Sequence, residues 1–128
     1  MLGRSDLNIS KDSIEELRIP AITASKLVEI SGRRVDLMVI DIEGMEEEFL
    51  SGFPWDQCHP KFILFESYHL DAKSQFAITS LLVRQGYCIC GLGKDTAAVK
   101  KDWLLQAKSS QPDIFDSVGD FDDVCQLK

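Results

Sequence analysis

Two short stretches of the chain carry residue types that do chemistry. Asp41-Ile42-Glu43-Gly44 closes one apolar run, and Glu66-Ser67-Tyr68-His69 closes another. Asp41 and Glu43 are two apart, so an extended chain sends both to one side. Gly44 lets the backbone turn sharply there. If the two runs are neighbours, Asp41, Glu43 and Glu66 converge on one edge. Clustered carboxylates repel unless a cation, a ligand amine or a proton sits among them. His69 adds a group that exchanges protons near neutral pH. The chemistry on offer is proton transfer or cation binding; the bland alternative is capping and solvation of strand ends. A metal hydrolase built on Asp41, Glu43, Glu66 and His69 would rest on ligand types alone. Tyr68 and Trp55 are aromatics of the kind that line pockets but more often pack locally. His59 before Pro60 is a minor candidate for a role, and Arg33-Arg34 and Lys100-Lys101 read as solvated turns. No phosphate loop, Ser nucleophile elbow or zinc protease motif is present.

These residues need elements to hold them. Val35 to Ile42 is almost continuously apolar, which suggests a strand covered on both faces, as in a parallel sheet. A helix then begins, with Met45, Phe49 and Leu50 on one face and Glu46, Glu47 and Glu48 in its first turn, where the dipole favours acids. Gly52 ends it. Residues 53–60 read as a loop, and Phe62 to Phe65 as a second buried strand ending at Glu66. Asp71 to Gln85 reads as a helix with Phe76, Ile78, Leu81 and Leu82 toward a core, and Gly86 supplies its left-handed end. Tyr87 to Leu92 is a third strand. Gly93 to Lys101 reads as a polar connection, and Trp103 to Ala107 as a fourth strand pairing antiparallel with the third. Upstream, Ser13-Ile14-Glu15-Glu16 fits a capping box, residues 19–23 are extended, and residues 25–30 form a helix stopped by Ser31-Gly32.

Length and charge bound the function. With 128 residues the chain fits one compact unit. The net charge of −7 argues against nonspecific nucleic-acid binding. Residues 109–128 hold five Asp and one Lys, a net of −4, so the acidity is largely a property of the tail. Ile114, Val118, Phe121 and Val124 recur in that tail at helical spacing, which makes it an acidic amphipathic candidate. No apolar run reaches membrane-spanning length and no signal peptide opens the chain, so a cytoplasmic location is expected. Four Cys (Cys58, Cys88, Cys90, Cys125) lack the further ligands of a zinc site and read as reduced thiols, so no metal is assigned.

Residues 35–52, Val-Asp-Leu-Met-Val-Ile-Asp-Ile-Glu-Gly-Met-Glu-Glu-Glu-Phe-Leu-Ser-Gly, resemble the signature of FkbM-type methyltransferases. Pro60-Lys61-Phe62-Ile63-Leu64-Phe65-Glu66 is similar to the family's next strand. Ile19-Pro20-Ala21-Ile22-Thr23 resembles its upstream segment, and Gly86-Tyr87 with Asp102 to Leu105 its last strands. The resemblance divides the chain into an irregular segment (1–17), an FkbM-like part (18–108) and the acidic tail (109–128). It implies a partial Rossmann-like class I α/β fold, mostly parallel with a C-terminal antiparallel strand pair. It also implies S-adenosylmethionine as cofactor and methyl transfer to a small-molecule or sugar hydroxyl. By motif position, Asp41, Glu66 and His69 take the catalytic role, and Asp41, Glu43 and Gly44 lie against the cofactor. Val39 stands where the family often has Lys.

The family's cofactor half needs a Gly-rich turn after a first strand and an acid after a second. The only Gly-x-Gly is Gly91-Leu92-Gly93, downstream of the site residues. The chain is therefore expected to be a fragment, or inactive alone. Its sheet edge is expected to be covered by a second copy or by a complementing chain. The other reading is a non-catalytic α/β interaction module pairing through that edge.

Overall fold

The computed structural model describes residues 15–32 and 34–111. The capping box at Ser13 and the acidic tail beyond Gln111 lie outside the described residues, as does Arg33.

Helix α1 (Ala24–Ile30) is capped by Thr23, whose hydroxyl accepts from the Lys26 amide at 3.2 Å. Residues 19–23, read as extended, run without regular structure into that cap. Strand β1 (Leu37–Ile40) leads through a tight turn into α2 (Glu46–Ser51). Strand β2 (Phe62–Glu66), α3 (Ala72–Arg84) and β3 (Tyr87–Leu92) follow as expected. Gly86 adopts φ 82°, the left-handed value that ends α3.

The C-terminal elements differ from the sequence reading. The stretch taken for a polar connection contains β4 (Asp95–Lys100), joined to β3 by a turn at Gly93 and Lys94. The stretch taken for a fourth strand is α4 (Lys101–Ser110). Asp-Thr-Ala-Ala-Val-Lys is a weak strand by propensity. Its place between β2 and β3, with ladders on both sides, makes it one. Trp103-Leu104-Leu105 is apolar enough for a strand, but only Leu104 of the three is buried, one helical stripe against β4.

The sheet order is β1-β2-β4-β3. Only β1 and β2 pair in parallel, and β4 runs antiparallel to both neighbours. The sheet is therefore mixed rather than mostly parallel, and the expected antiparallel pair is the β3–β4 hairpin. The fold is a small four-stranded α/β unit with four helices among the described residues.

Register and the two-residue side-chain period sort the faces. Ile40, Ile63, Phe65, Ala98 and Tyr87 point to one face, which Val28, Leu50, Ile78 and Leu82 of the first three helices cover. Phe53, Trp55 and Cys58 of the 53–60 loop also belong to this core. Trp55 donates from Nε1 to the Leu50 carbonyl at 2.9 Å, and the Tyr87 hydroxyl donates to the Pro60 carbonyl at 2.6 Å. Lys100 is no solvated turn: its ammonium donates to the Gln85 carbonyl and lies over the Tyr87 ring.

The second face carries Leu37, Val39, Leu64, Ala97, Cys88 and Cys90. Ala97, Cys88 and Leu104 are buried outside the main core, and the β1 end of this face is open. Leu37 is 59% and Val39 63% exposed, so β1 is not covered on both faces as its apolar run suggested. Phe76, expected in the core, is 75% exposed, and Met45 also faces solvent, because α3 and α2 bury narrower stripes than their sequences offer.

Candidate functional site

Parallel pairing of β1 with β2 ends with Ile40 beside Phe65, so the next residues, Asp41 and Glu66, follow side by side at that end of the sheet. Glu66 in turn pairs with Asp95 on β4. Three carboxylates thus lie in one row across three strands, at the edge where parallel strands of α/β sheets present their ligand sites. They line a cavity of about 220 Å³, with Val39 and Leu64 as its apolar wall.

The turn after Asp41 is the most constrained stretch of the site. Glu43 has φ 54° and Gly44 φ 99°. Met45, at the start of α2, makes no side-chain cap bond. Glu46 instead reaches back, and its Oε1 accepts from the Ile42 amide at 3.1 Å. Glu46 is 1% exposed, and its Oε2 has no hydrogen-bond partner. That buried carboxyl ties the first turn of α2 to the loop holding Asp41, Glu43 and Gly44.

The second half of the site is held by the β3–β4 hairpin and by α3. The Lys94 carbonyl accepts from the Ser67 and Tyr68 amides at 2.9 and 3.0 Å and from the Ser67 hydroxyl at 3.2 Å. Thr96 Oγ1 donates to Ser67 Oγ at 2.8 Å. Gln75 Nε2 donates to the Ser67 and Leu70 carbonyls. Asp71 caps α3 by accepting from the Ser74 amide at 2.7 Å, and hydrogen bonds from Ser74 hold its carboxyl below the usual range.

This frame puts His69 Nε2 3.8 Å from Glu66 Oε1. One ligand atom each of Glu43, Glu66 and His69 lie within 4.8 Å of one another. Glu66 is half-buried, while Glu43 and His69 are exposed. Such a carboxylate–imidazole group can share a proton, and its separations suit a divalent cation, a use the sequence reading did not assign. Asp41 lines the neighbouring cavity and is not part of the trio. Tyr68 is exposed, edge-on to His69 and under the Lys94 ammonium. His59 stands at the opposite end of the sheet, beside a larger open cavity of about 470 Å³ with Arg34 and Lys61. Lys61 is already paired there with Asp36 at 2.8 Å.

Sequence reasoning missed Glu46, Asp95 and the Lys94 carbonyl. The second Glu of Asp-x-Glu-Gly-x-Glu was the available signal for Glu46. Asp95 had none, since its place in the row depends on the register of β4.

A family model described as Methyltransferase FkbM domain matches residues 3–89. No curated protein and no solved structure matches the chain.

Proposed function

Because the chain belongs to the FkbM methyltransferase domain family, we propose that it carries the acceptor-side half of a methyltransferase site acting on a hydroxyl group. The observation that carries this reading is the Glu66–His69 pair beside Asp41, on one edge of adjacent parallel strands. S-adenosylmethionine, the cofactor proposed from the family, supplies a methyl group on a cationic sulfur.

The residues fit that cofactor in part. The carboxylate row of Asp41, Glu66 and Asp95 suits a sulfonium cation, since negative groups favour positive charge close by. The grip on its amino-acid and ribose ends is not matched: the Gly-x-Gly at residues 91–93 lies in the β3–β4 hairpin. On the outer side of β1 there is no neighbouring strand among the described residues. We therefore expect weak cofactor binding by this chain alone, and activity only with a complementing segment.

The chain's own share of the chemistry is proton handling and orientation. Glu66 and His69 accept the hydroxyl proton as the acceptor oxygen becomes a nucleophile. Asp41 and Glu43 orient the acceptor from the β1 side, held by the Glu46 bond to Ile42. The Ser67 and Lys94 contacts keep Glu66 and His69 at fixed separation.

An NMR titration of the full chain with S-adenosylmethionine and S-adenosylhomocysteine tests this reading. The expected result is perturbation at millimolar ligand, confined to residues 41–46 and 66–69. No perturbation, or one centred on Arg34 and Lys61, overturns the site assignment. Binding in the low-micromolar range overturns the expectation that the grip is incomplete.

A further inference from the structure

Strand β1 pairs only with β2 among the described residues, and no described strand takes the backbone groups of its outer edge. Exposed edges are usually blunted by Lys, Pro or a bulge. Leu37-Met38-Val39-Ile40 has neither Lys nor Pro. Leu37 and Val39 add an exposed apolar flank, continued by Ile42 and Met45.

The charges around this edge are self-complementary in one direction only. Arg33 and Arg34 precede the strand, and Asp41 and Glu43 follow it. A second copy laid parallel would set like charges side by side. Laid antiparallel, it brings Arg34 of each copy to the Asp41–Glu43 turn of the other. A two-fold axis perpendicular to the sheet keeps each side chain on its own face. With Met38 on that axis, Leu37 of one copy lies opposite Val39 of the other, twice, as an apolar cross-strand pair.

We infer that two copies of this chain pair antiparallel through β1, joining their sheets into one continuous eight-stranded sheet. The acidic tail is the poorer occupant. Residues 112–128 carry a net charge of −4 and would lie along an edge ending in Asp41 and Glu43. The pairing uses the same outer edge of β1 that a complementing segment would take, so a dimer through β1 and a completed methyltransferase site exclude each other.

Sedimentation velocity of the full chain, from about 1 to 300 µM, tests it, since an interface this small gives a transient dimer. The expected result is a concentration-dependent dimer. Val39→Lys raises the dissociation constant at least about tenfold, through two lost apolar pairs and a charge on the edge. Its circular dichroism and thermal midpoint stay at wild type under dilute conditions, because Val39 is exposed. Arg34→Glu weakens the dimer, and adding Glu43→Arg restores it. A monomer at every concentration, or a dimer indifferent to Val39→Lys, overturns the inference. Failure of the charge swap to restore pairing overturns the antiparallel register. A chain that dimerises only after truncation at Gln111 assigns the edge to the tail and also overturns it.

Discussion

Glu46→Ala is the sharpest probe of how the site is held. The side chain is 1% exposed and gives its Oε1 to the Ile42 amide at 3.1 Å. Truncation removes one buried methylene, about 0.8 kcal/mol. It also orphans a partly buried amide, at about 1–2 kcal/mol. Against this, it removes an Oε2 that has no partner, which returns ~1 kcal/mol. The net loss is about 1.3 kcal/mol. With a urea slope of ~1.5 kcal/mol/M for a chain of this size, the midpoint falls by roughly 0.9 M. Urea unfolding followed by Trp fluorescence measures the global change, and amide hydrogen exchange at Ile42 measures the local one. Glu46→Gln keeps an acceptor oxygen, so it loses less than half as much and leaves Ile42 protected. An Ala variant with a wild-type midpoint and unchanged Ile42 exchange would refute the claim that Glu46 ties α2 to the turn.

Three further predictions concern other parts of the frame. Burial, and secondarily nearby Cys58, pushes the Tyr87 phenol well above its usual range. The folded chain keeps this proton where the unfolded chain loses it, so stability is intact below about pH 10 and falls as pH rises beyond. Tyr87→Phe costs about 1–2 kcal/mol by orphaning the Pro60 carbonyl, and it flattens that alkaline fall in urea titrations at stepped pH. Asp71 has the opposite sign: its carboxyl is held low by Ser74, so its contribution is present above about pH 4 and lost as pH falls through the lowered value. Asp71→Asn keeps a cap acceptor and removes that dependence, read as a flatter acid limb in helical circular dichroism. Gly44→Ala costs about 1–2 kcal/mol in urea unfolding, while Gly91→Ala stays near wild type. An added Cβ meets nothing within 4 Å at either position, and only Gly44 has positive φ, so equal costs would refute a backbone origin.

Much of the fold was legible where pattern and punctuation agree. Asp71 as a cap, the apolar positions Ile78 and Leu82, and Gly86 at φ 82° delimit α3 by local rules alone. The parallel pairing that aligns Asp41 with Glu66 followed from two apolar runs joined through a helix. Residues 93–110 depart from their sequence reading because their local signals oppose their place. Ala97 and Ala98 are weak strand formers, yet both are buried between two ladders. Leu104 and Leu105 look like strand residues but sit on a helix, with Leu104 on its buried stripe and Leu105 off it.

The sequence by itself determined the family, the β1-turn-α2 motif and the residue types at the site, because these depend on neighbours a few positions apart. Tertiary structure decided which of those residues meet. Asp95 joined Asp41 and Glu66 through the register of β4, Glu43 rather than Asp41 came within reach of His69, and Glu46 became the buried tie beneath them. Among the described residues it also left the outer edge of β1 without a partner strand. The physical reason is that side-chain periodicity says which face a residue takes, whereas only the pairing of distant strands sets what lies opposite it.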